Sequence, residues 1–368
     1  MKKFFAVFLA AIIVIAGVLF LKEYSKDTTP EEQTAPNHTS GGALPKDETG
    51  AFPTTEDKNA NPAEGNANPA EGNANPAEGI ESISVDIMAA NAYVLNVNSN
   101  SVLYQKNSDN HIAPASTAKM LTALTVLDYC SLGDTFTVGS EIDLIDSDSS
   151  RAWLNHGDRL TVKQLLVALL IPSGNDAAYT LAVNTGKKIA NDNGLSVGQA
   201  VKVFVDAMNK KAKETGANSS NFANPDGYDA DGQYTTAFDL TQITKACLSN
   251  DVLLEIMGRY KVNDTWVNGR EVTYTNTNKL IDPNSPYYYS RAVGLKTGHS
   301  GKAGYCLVSA AVINGKTYIC VVMGDSDDTR FSDSLKIYSE IDPTLTVVPS
   351  DMTPPGVPPI APDEFGGR

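Results

Sequence analysis

The sequence predicts an α+β fold: an antiparallel sheet assembled from both ends of one domain, with an all-helical insert packed on it. Three observations predict this. Period-two alternation of apolar residues occurs at residues 92–104 and returns after residue 266. Between those stretches, Ser or Thr followed three residues later by Gln or Asp precedes runs with helical spacing. Of the 368 residues, 42% are hydrophobic, enough for one sizeable core.

The first strand pair is Ala92-Tyr93-Val94-Leu95-Asn96-Val97 and Val102-Leu103-Tyr104, joined by the polar turn Asn98–Ser101. Thr161 with Gln164 forms a capping box ahead of Leu165, Leu166, Leu169 and Leu170, in a helix that must stop by Pro172. Ser196 with Gln199 opens a helix carrying Val201, Phe204, Val205 and Met208, which ends at Gly216. Thr236 and Asp239 open a third. Trp266-Val267 and Glu271–Tyr274 flank Asn268-Gly269, and Ala303–Val312 and Thr317–Met323 flank Asn314-Gly315. Asn-Gly between alternating runs is the strongest local hairpin signal. A helix over Thr329–Glu340 closes the domain. A two-residue turn at Asn314-Gly315 places Cys306 opposite Met323 and Cys320 opposite Ser309, on opposite sheet faces, so those two cysteines are not expected to pair. Cys130 and Cys247 fall in helical stretches and read as core residues.

The folded domain is expected over 82–342. Ahead of it, Met1-Lys2-Lys3 precedes an unbroken apolar run from Phe4 to Leu21. Eighteen residues at a 1.5 Å rise span about 27 Å, close to a bilayer's hydrocarbon core. Segment 1–21 is therefore an N-terminal signal anchor or, alternatively, a signal peptide, with Lys2 and Lys3 on the cytoplasmic side. Either reading puts the rest of the chain at the extracytoplasmic face of the membrane or in the medium. Residues 22–81 read as a disordered acidic spacer. Its first 58 residues carry 11 acidic and four basic side chains, and Asn-Ala-Asn-Pro-Ala-Glu-Gly repeats three times from Asn59 to Gly79. Pro and Gly in every repeat exclude a coiled coil, and as a free random coil those 58 residues span about 40 Å root-mean-square. Residues 343–368 form a Pro-rich tail without helical spacing. The net charge of −14 argues against a nucleic-acid partner. With no Cys-x-x-Cys spacing and no cluster of His and Asp, neither a metal nor another cofactor is expected.

Three short motifs carry chemistry. Ser116-Thr117-Ala118-Lys119 opens a helix, Ser173-Gly174-Asn175 follows the helix broken by Pro172, and Lys296-Thr297-Gly298 precedes His299 on a strand. Ser-x-Asn occurs three times and means nothing alone, whereas Ser-x-x-Lys and Lys-Thr-Gly occur once each. Ser116 and Lys119 at i and i+3 share a helix face. A serine hydroxyl needs a base to take its proton. Lys119 can be that base only when neutral, a state favoured by burial and by a nearby cation such as Lys296. Ser173 suits a proton relay to the leaving amine, Asn175 suits a substrate amide, and Gly298 allows an extended peptide to approach the strand edge. Each motif also has a plain structural reading: Ser116 or Ser173 as a helix cap, Lys296 as an edge-strand charge. Three such coincidences in register are improbable.

On these residues the sequence resembles the active-site serine penicillin-binding proteins and β-lactamases, and within them the serine-type D-alanyl-D-alanine carboxypeptidases. Pro114–Met120, Ser173–Ala178, Gly294–His299, Thr275–Leu280 and Ala303–Cys306 carry the resemblance. It implies a β-lactamase/transpeptidase-like fold and a serine D-alanyl-D-alanine carboxypeptidase. Such an enzyme removes the terminal D-Ala from peptidoglycan stem pentapeptides through an acyl-enzyme on Ser116, with β-lactam antibiotics as acylating inhibitors. By the same resemblance Lys119 is the general base, Ser173 the relay and Lys296 a substrate binder. The backbone N–H groups of Ser116 and His299 form the oxyanion hole, and Thr297 and Arg330 meet the terminal carboxylate. Many relatives add a β-rich domain and a C-terminal amphipathic anchor. No such pattern follows residue 342, so anchoring at the N-terminal end is expected. Asp226 in Asn224-Pro225-Asp226-Gly227-Tyr228 stands where the family more often has His. A class A-like β-lactamase is the nearest alternative, but it needs a deacylating Glu after the second motif, and residues 174–200 contain none. A non-catalytic β-lactam sensor or wall-binding module is the alternative of another class. A sensor needs further membrane spans, and a binding module would tolerate the loss of Lys119.

Overall fold

The structure is a computed structural model that describes residues 82–346. The expected anchor 1–21, the spacer 22–81 and the tail beyond 346 lie outside the described residues. Strands β1 (Asn91–Asn96) and β2 (Ser101–Lys106) form the first hairpin. A single 3-10 turn, Ala115–Thr117, then runs into helix α1 (Ala118–Tyr129). Next come β3 (Thr135–Thr137), β4 (Arg159–Thr161) and the helices α2 (Val162–Leu170), α3 (Asn175–Ala190), α4 (Val197–Thr215), α5 (Ala237–Leu248) and α6 (Asp251–Met257). The hairpin β5 (Lys261–Thr265) and β6 (Glu271–Thr275) leads to β7 (Ala292–Ser300), β8 (Gly304–Ile313), β9 (Lys316–Asp325) and α7 (Thr329–Ile341).

The five-stranded antiparallel sheet has the order β2-β1-β9-β8-β7, so both ends of the domain build it and β7 is an edge. Alternate residues of β9 enter two different cores. Ile319, Val321 and Met323 face α1 and the insert, while Tyr318, Cys320 and Val322 face α7. Helix α1 is buried continuously from Ala118 to Val126, which makes it the central helix.

The helix signals act where the sequence places them. Thr161 and Gln164, and Ser196 and Gln199, both form reciprocal capping boxes, and the Thr236 side chain accepts the Asp239 N–H. Gly216 ends α4 in the left-handed region at φ +92°. The insert is helical with two additions, the short pairs β3–β4 and β5–β6, so it is mainly rather than entirely helical. The hairpin at Asn268-Gly269 is also wider than expected. Its strand ends at Thr265, and the Trp266 N–H bonds to Arg270 O at 2.9 Å across a longer loop in which Gly269 takes φ +83°. Burial of the Trp266 ring beneath the Arg270 guanidinium draws that residue out of the ladder. At Asn314 (φ +50°) and Gly315 (φ +74°) the two-residue turn forms as predicted. Cys320 lies opposite Ser309, but a bulge between Tyr305 and Leu307, where Gly324 takes φ +69°, removes Cys306 from the expected register with Met323. All four cysteines are free and buried. The described chain continues past 342, because Asp342 Oδ1 accepts from Thr344 and Leu345 packs on the α7-side core.

Candidate active site

The three motifs converge. Ser116 lies in the 3-10 turn ahead of α1, following Ala115 at φ +47°, and its side chain is partly accessible. Lys119, one turn further on, is fully buried, with its Nζ 2.7 Å from Ser116 Oγ. The same nitrogen lies 2.7 Å from Asn175 Oδ1 and 3.0 Å from the carbonyl oxygen of Asp226. Two of these three partners can only accept. A neutral amine has two N–H donors and one lone pair, so Asn175 and Asp226 take the donors and leave the lone pair for the Ser116 hydroxyl. Burial brings the Lys119 pKa down to about 8, against the upward pull of the Asp226 and Asp176 carboxyls.

Lys296 is the second buried amine. Its Nζ donates to Ser173 Oγ at 2.9 Å and to Thr297 O at 2.9 Å. Burial first, then the charges of Lys119 and Arg330, push its pKa well below the ordinary lysine value. Ser173 is not a helix cap: Gly174 occupies the N-cap of α3, and Ser173 sits at φ +66° with its hydroxyl turned to Lys296. The strand bearing Lys296 also touches the nucleophile's turn. A Cβ on Gly298 would stand 3.2 Å from Ala115 Cβ and 3.3 Å from Ser116 N, so glycine is what lets β7 lie this close.

Thr297 shares a hydrogen bond with Thr277 at 2.5 Å, which ties the Thr275–Leu280 segment to the site. The exposed His299 ring stacks on Tyr305, with centroids 4.0 Å apart. Arg330 comes from α7. Its Nη1 donates to Gly298 O at 3.0 Å, its Nη2 to Asp327 at 2.8 Å, and its buried Nε has no protein partner. All nine residues singled out in the sequence therefore fall within one linked constellation. Among the described residues, no group of three His, Cys, Asp or Glu side chains is gathered for a metal ion.

Sequence reasoning missed the supports of the second motif. Ser150 Oγ donates to Ser173 O at 2.6 Å, and the Asn175 N–H bonds to Ser150 O at 2.9 Å. The buried Asp176 carboxylate accepts the N–H groups of Ala152 (2.9 Å) and Leu154 (3.0 Å), fixing exposed Trp153 between them at φ +61°. Its place directly after Ser173-Gly174-Asn175 was the only sequence signal for that role.

The chain is similar to known D-alanyl-D-alanine carboxypeptidases. The family model described as D-alanyl-D-alanine carboxypeptidase matches residues 77–327. The chain is 31% identical over 241 residues to the D-alanyl-D-alanine carboxypeptidase DacF of Bacillus subtilis, covering 65% of this chain and 58% of that protein's length. It is 32% identical over 269 residues to a D-alanyl-D-alanine carboxypeptidase of Streptomyces sp. strain K15, covering 68% of this chain and 86% of that one. Among solved structures, the Streptomyces K15 DD-transpeptidase superposes with a TM-score of 0.64 at 32% identity, over 70% of this chain and 98% of that one.

Proposed function

The chain belongs to the D-alanyl-D-alanine carboxypeptidase family, and we propose that it removes the terminal D-Ala from peptidoglycan stem pentapeptides. The carrying observation is the partner set of Lys119, whose only partner able to donate is the Ser116 hydroxyl. Neutral Lys119 takes the Ser116 proton as the oxygen attacks the carbonyl between the two D-alanines. The N–H groups of Ser116 and His299 receive the oxyanion, the strand that carries His299 being packed at Gly298 against the turn that carries Ser116. As the tetrahedral intermediate collapses, the C–N bond breaks. The proton reaches the departing D-Ala amine through Ser173, whose Oγ is held by Lys296. Thr297 binds the terminal carboxylate, together with Arg330, whose Nη1 bond to Gly298 O sets its guanidinium against the strand of the third motif. Water then hydrolyses the Ser116 ester.

β-Lactams would acylate the same serine and persist, because residues 174–200 supply no glutamate to activate water against the ester. The apolar run Phe4–Leu21 would hold the chain at the extracytoplasmic face of the membrane, and the spacer would let the domain work above it. Mass spectrometry of the native N-terminus tests the anchor: a chain starting after residue 21 overturns it. The activity is tested by D-Ala release from a pentapeptide by wild type, Ser116→Ala and Lys119→Ala. Each substitution is expected to lower kcat/KM by at least ~10³-fold. Equal release by all three overturns the assignment.

A further inference from the structure

Asp226 carries a buried carboxyl group beside the reactive lysine, and the proposed mechanism uses only its main-chain carbonyl. The residue is 2% exposed. Its carbonyl oxygen accepts from Lys119 Nζ at 3.0 Å, and its Oδ1 accepts the Tyr228 N–H at 3.1 Å. The turn that carries it has no room to retreat. Thr122 Oγ1 donates to Pro225 O at 2.6 Å, and the Asn224 side chain bridges Gly227 N (2.8 Å) and Tyr228 O (2.7 Å). At Gly227, with φ +84°, a Cβ would stand 1.8 Å from Ala115 O, so the turn is pressed against the elbow that presents Ser116.

We propose that Asp226 is a positioning residue for acylation: its fixed, buried carboxyl group governs how firmly Lys119 holds a proton, and hence the pH at which Ser116 becomes a nucleophile. This rests on the reading of Ser116 and Lys119 as nucleophile and base. The other charged group acting on Lys119 is Asp176 of α3, and Lys296 of β7 lies close enough for Lys119 to disfavour its charge. Those around Asp226 are Lys119, Tyr228 of its own turn, Tyr179 of α3 and Asp146 of the loop after residue 144. Of the two carboxyls that favour the Lys119 ammonium, Asp226 acts more strongly, while burial raises the pKa of Asp226 itself. A negative charge here stabilises the ammonium that burial disfavours, so the pair keeps Lys119 from becoming too weak a base.

Asp226→Asn removes the charge and keeps an acceptor for Tyr228, while the carbonyl to Lys119 is unchanged. Lys119 then gives up its proton more readily. The acid limb of acylation moves to lower pH by ~0.5–1 unit, and the plateau rate falls because the base is weaker. Asp226→Glu keeps the charge and leaves the limb in place. The experiment is the acylation rate of the full chain by a fluorescent penicillin from roughly pH 5.5 to 9.5, with thermal melts of each variant. Should Asp226→Asn fail to fold, Asp226→Ser removes the same charge with a smaller side chain. A downward shift in the charge-removing variant supports the proposal. A limb that stays fixed while the plateau drops, or that moves up, overturns it. A wild-type chain not acylated at any pH overturns the site reading, and this inference with it.

Discussion

On the α7 face of the sheet two fully buried acids have dedicated donors, whereas at the cleft two fully buried lysines have hydrogen bonds that end on neutral oxygens. Asp333 accepts the N–H groups of Met88 (2.6 Å) and Ala89 (3.0 Å) and pairs with Lys336 at 3.0 Å. Asp342 accepts from Tyr289 Oη at 2.7 Å and faces Arg291 Nε at 3.3 Å. Lys119 and Lys296 have Ser116, Asn175, Asp226 O, Ser173 and Thr297 O as hydrogen-bond partners. The charge of Lys119 also disfavours that of Lys296, as like charges close together in a low-dielectric site do. A buried charge matched by opposite charge and N–H groups holds elements together. A buried pair of equal sign weakens the fold and eases the loss of a proton from an amine, which is a catalytic property.

Lys296→Met breaks the comparison hardest. The Lys119 pKa is set by its own burial and by the Asp226 and Asp176 carboxyls, so the acid limb of acylation stays near 8. Ser173 Oγ loses its donor. Acylation by penicillin near pH 7 should drop by ~10²-fold, with the fold retained or slightly more stable. A limb that moves up would mean that Lys296 carries a charge which Lys119 senses. On the far face the expectation reverses. Asp333→Asn weakens two backbone hydrogen bonds and one ion pair, lowering stability by about 2 kcal/mol. The melt would show this, while the acylation rate of the folded protein stays unchanged. Loss of rate without loss of stability would show that the two faces are not separable.

The parts of this contrast differ in how far they can be read from sequence. Ser116, Lys119, Ser173 and Lys296 were legible because the chemistry demands particular residue types at short spacings within single elements. The sheet was legible from alternation and from Asn314-Gly315, whose φ angles few other pairs adopt. What escaped depends on contacts between distant segments. The Asp226 carbonyl reaches Lys119 across 107 positions, and Ser150 reaches Ser173 across 23. Trp266 left its expected strand because its ring found the core, and Cys306 left its register because of a bulge at a left-handed glycine. Arg330 was legible as a residue but not as a partner of the Gly298 carbonyl, since α7 and β7 meet only in the folded chain.

The smallest effect lies within the far face and separates two acids that share it. Burial, with Asp333 close by, raises the Asp325 pKa to about 6, and its Oδ2 is buried without a partner. The folded state therefore binds that proton more tightly than the unfolded chain does. The stability Asp325 contributes is full below about pH 4 and is lost as the pH rises through about 6. Asp342 has the opposite sign. Burial pushes its pKa up, but the hydrogen bonds from Thr344 and Tyr289 outweigh this and hold it low, so its contribution is present above about pH 4 and lost on acidification. Between these values the two oppose each other. Asp325→Asn removes the first, so the variant should gain on the wild type as pH rises from about 4.5 to 6.5, by less than ~1 kcal/mol because partial exposure screens the charge. Urea melts across that range measure it. A difference between variant and wild type that does not change with pH would place Asp325 among ordinary solvated carboxylates.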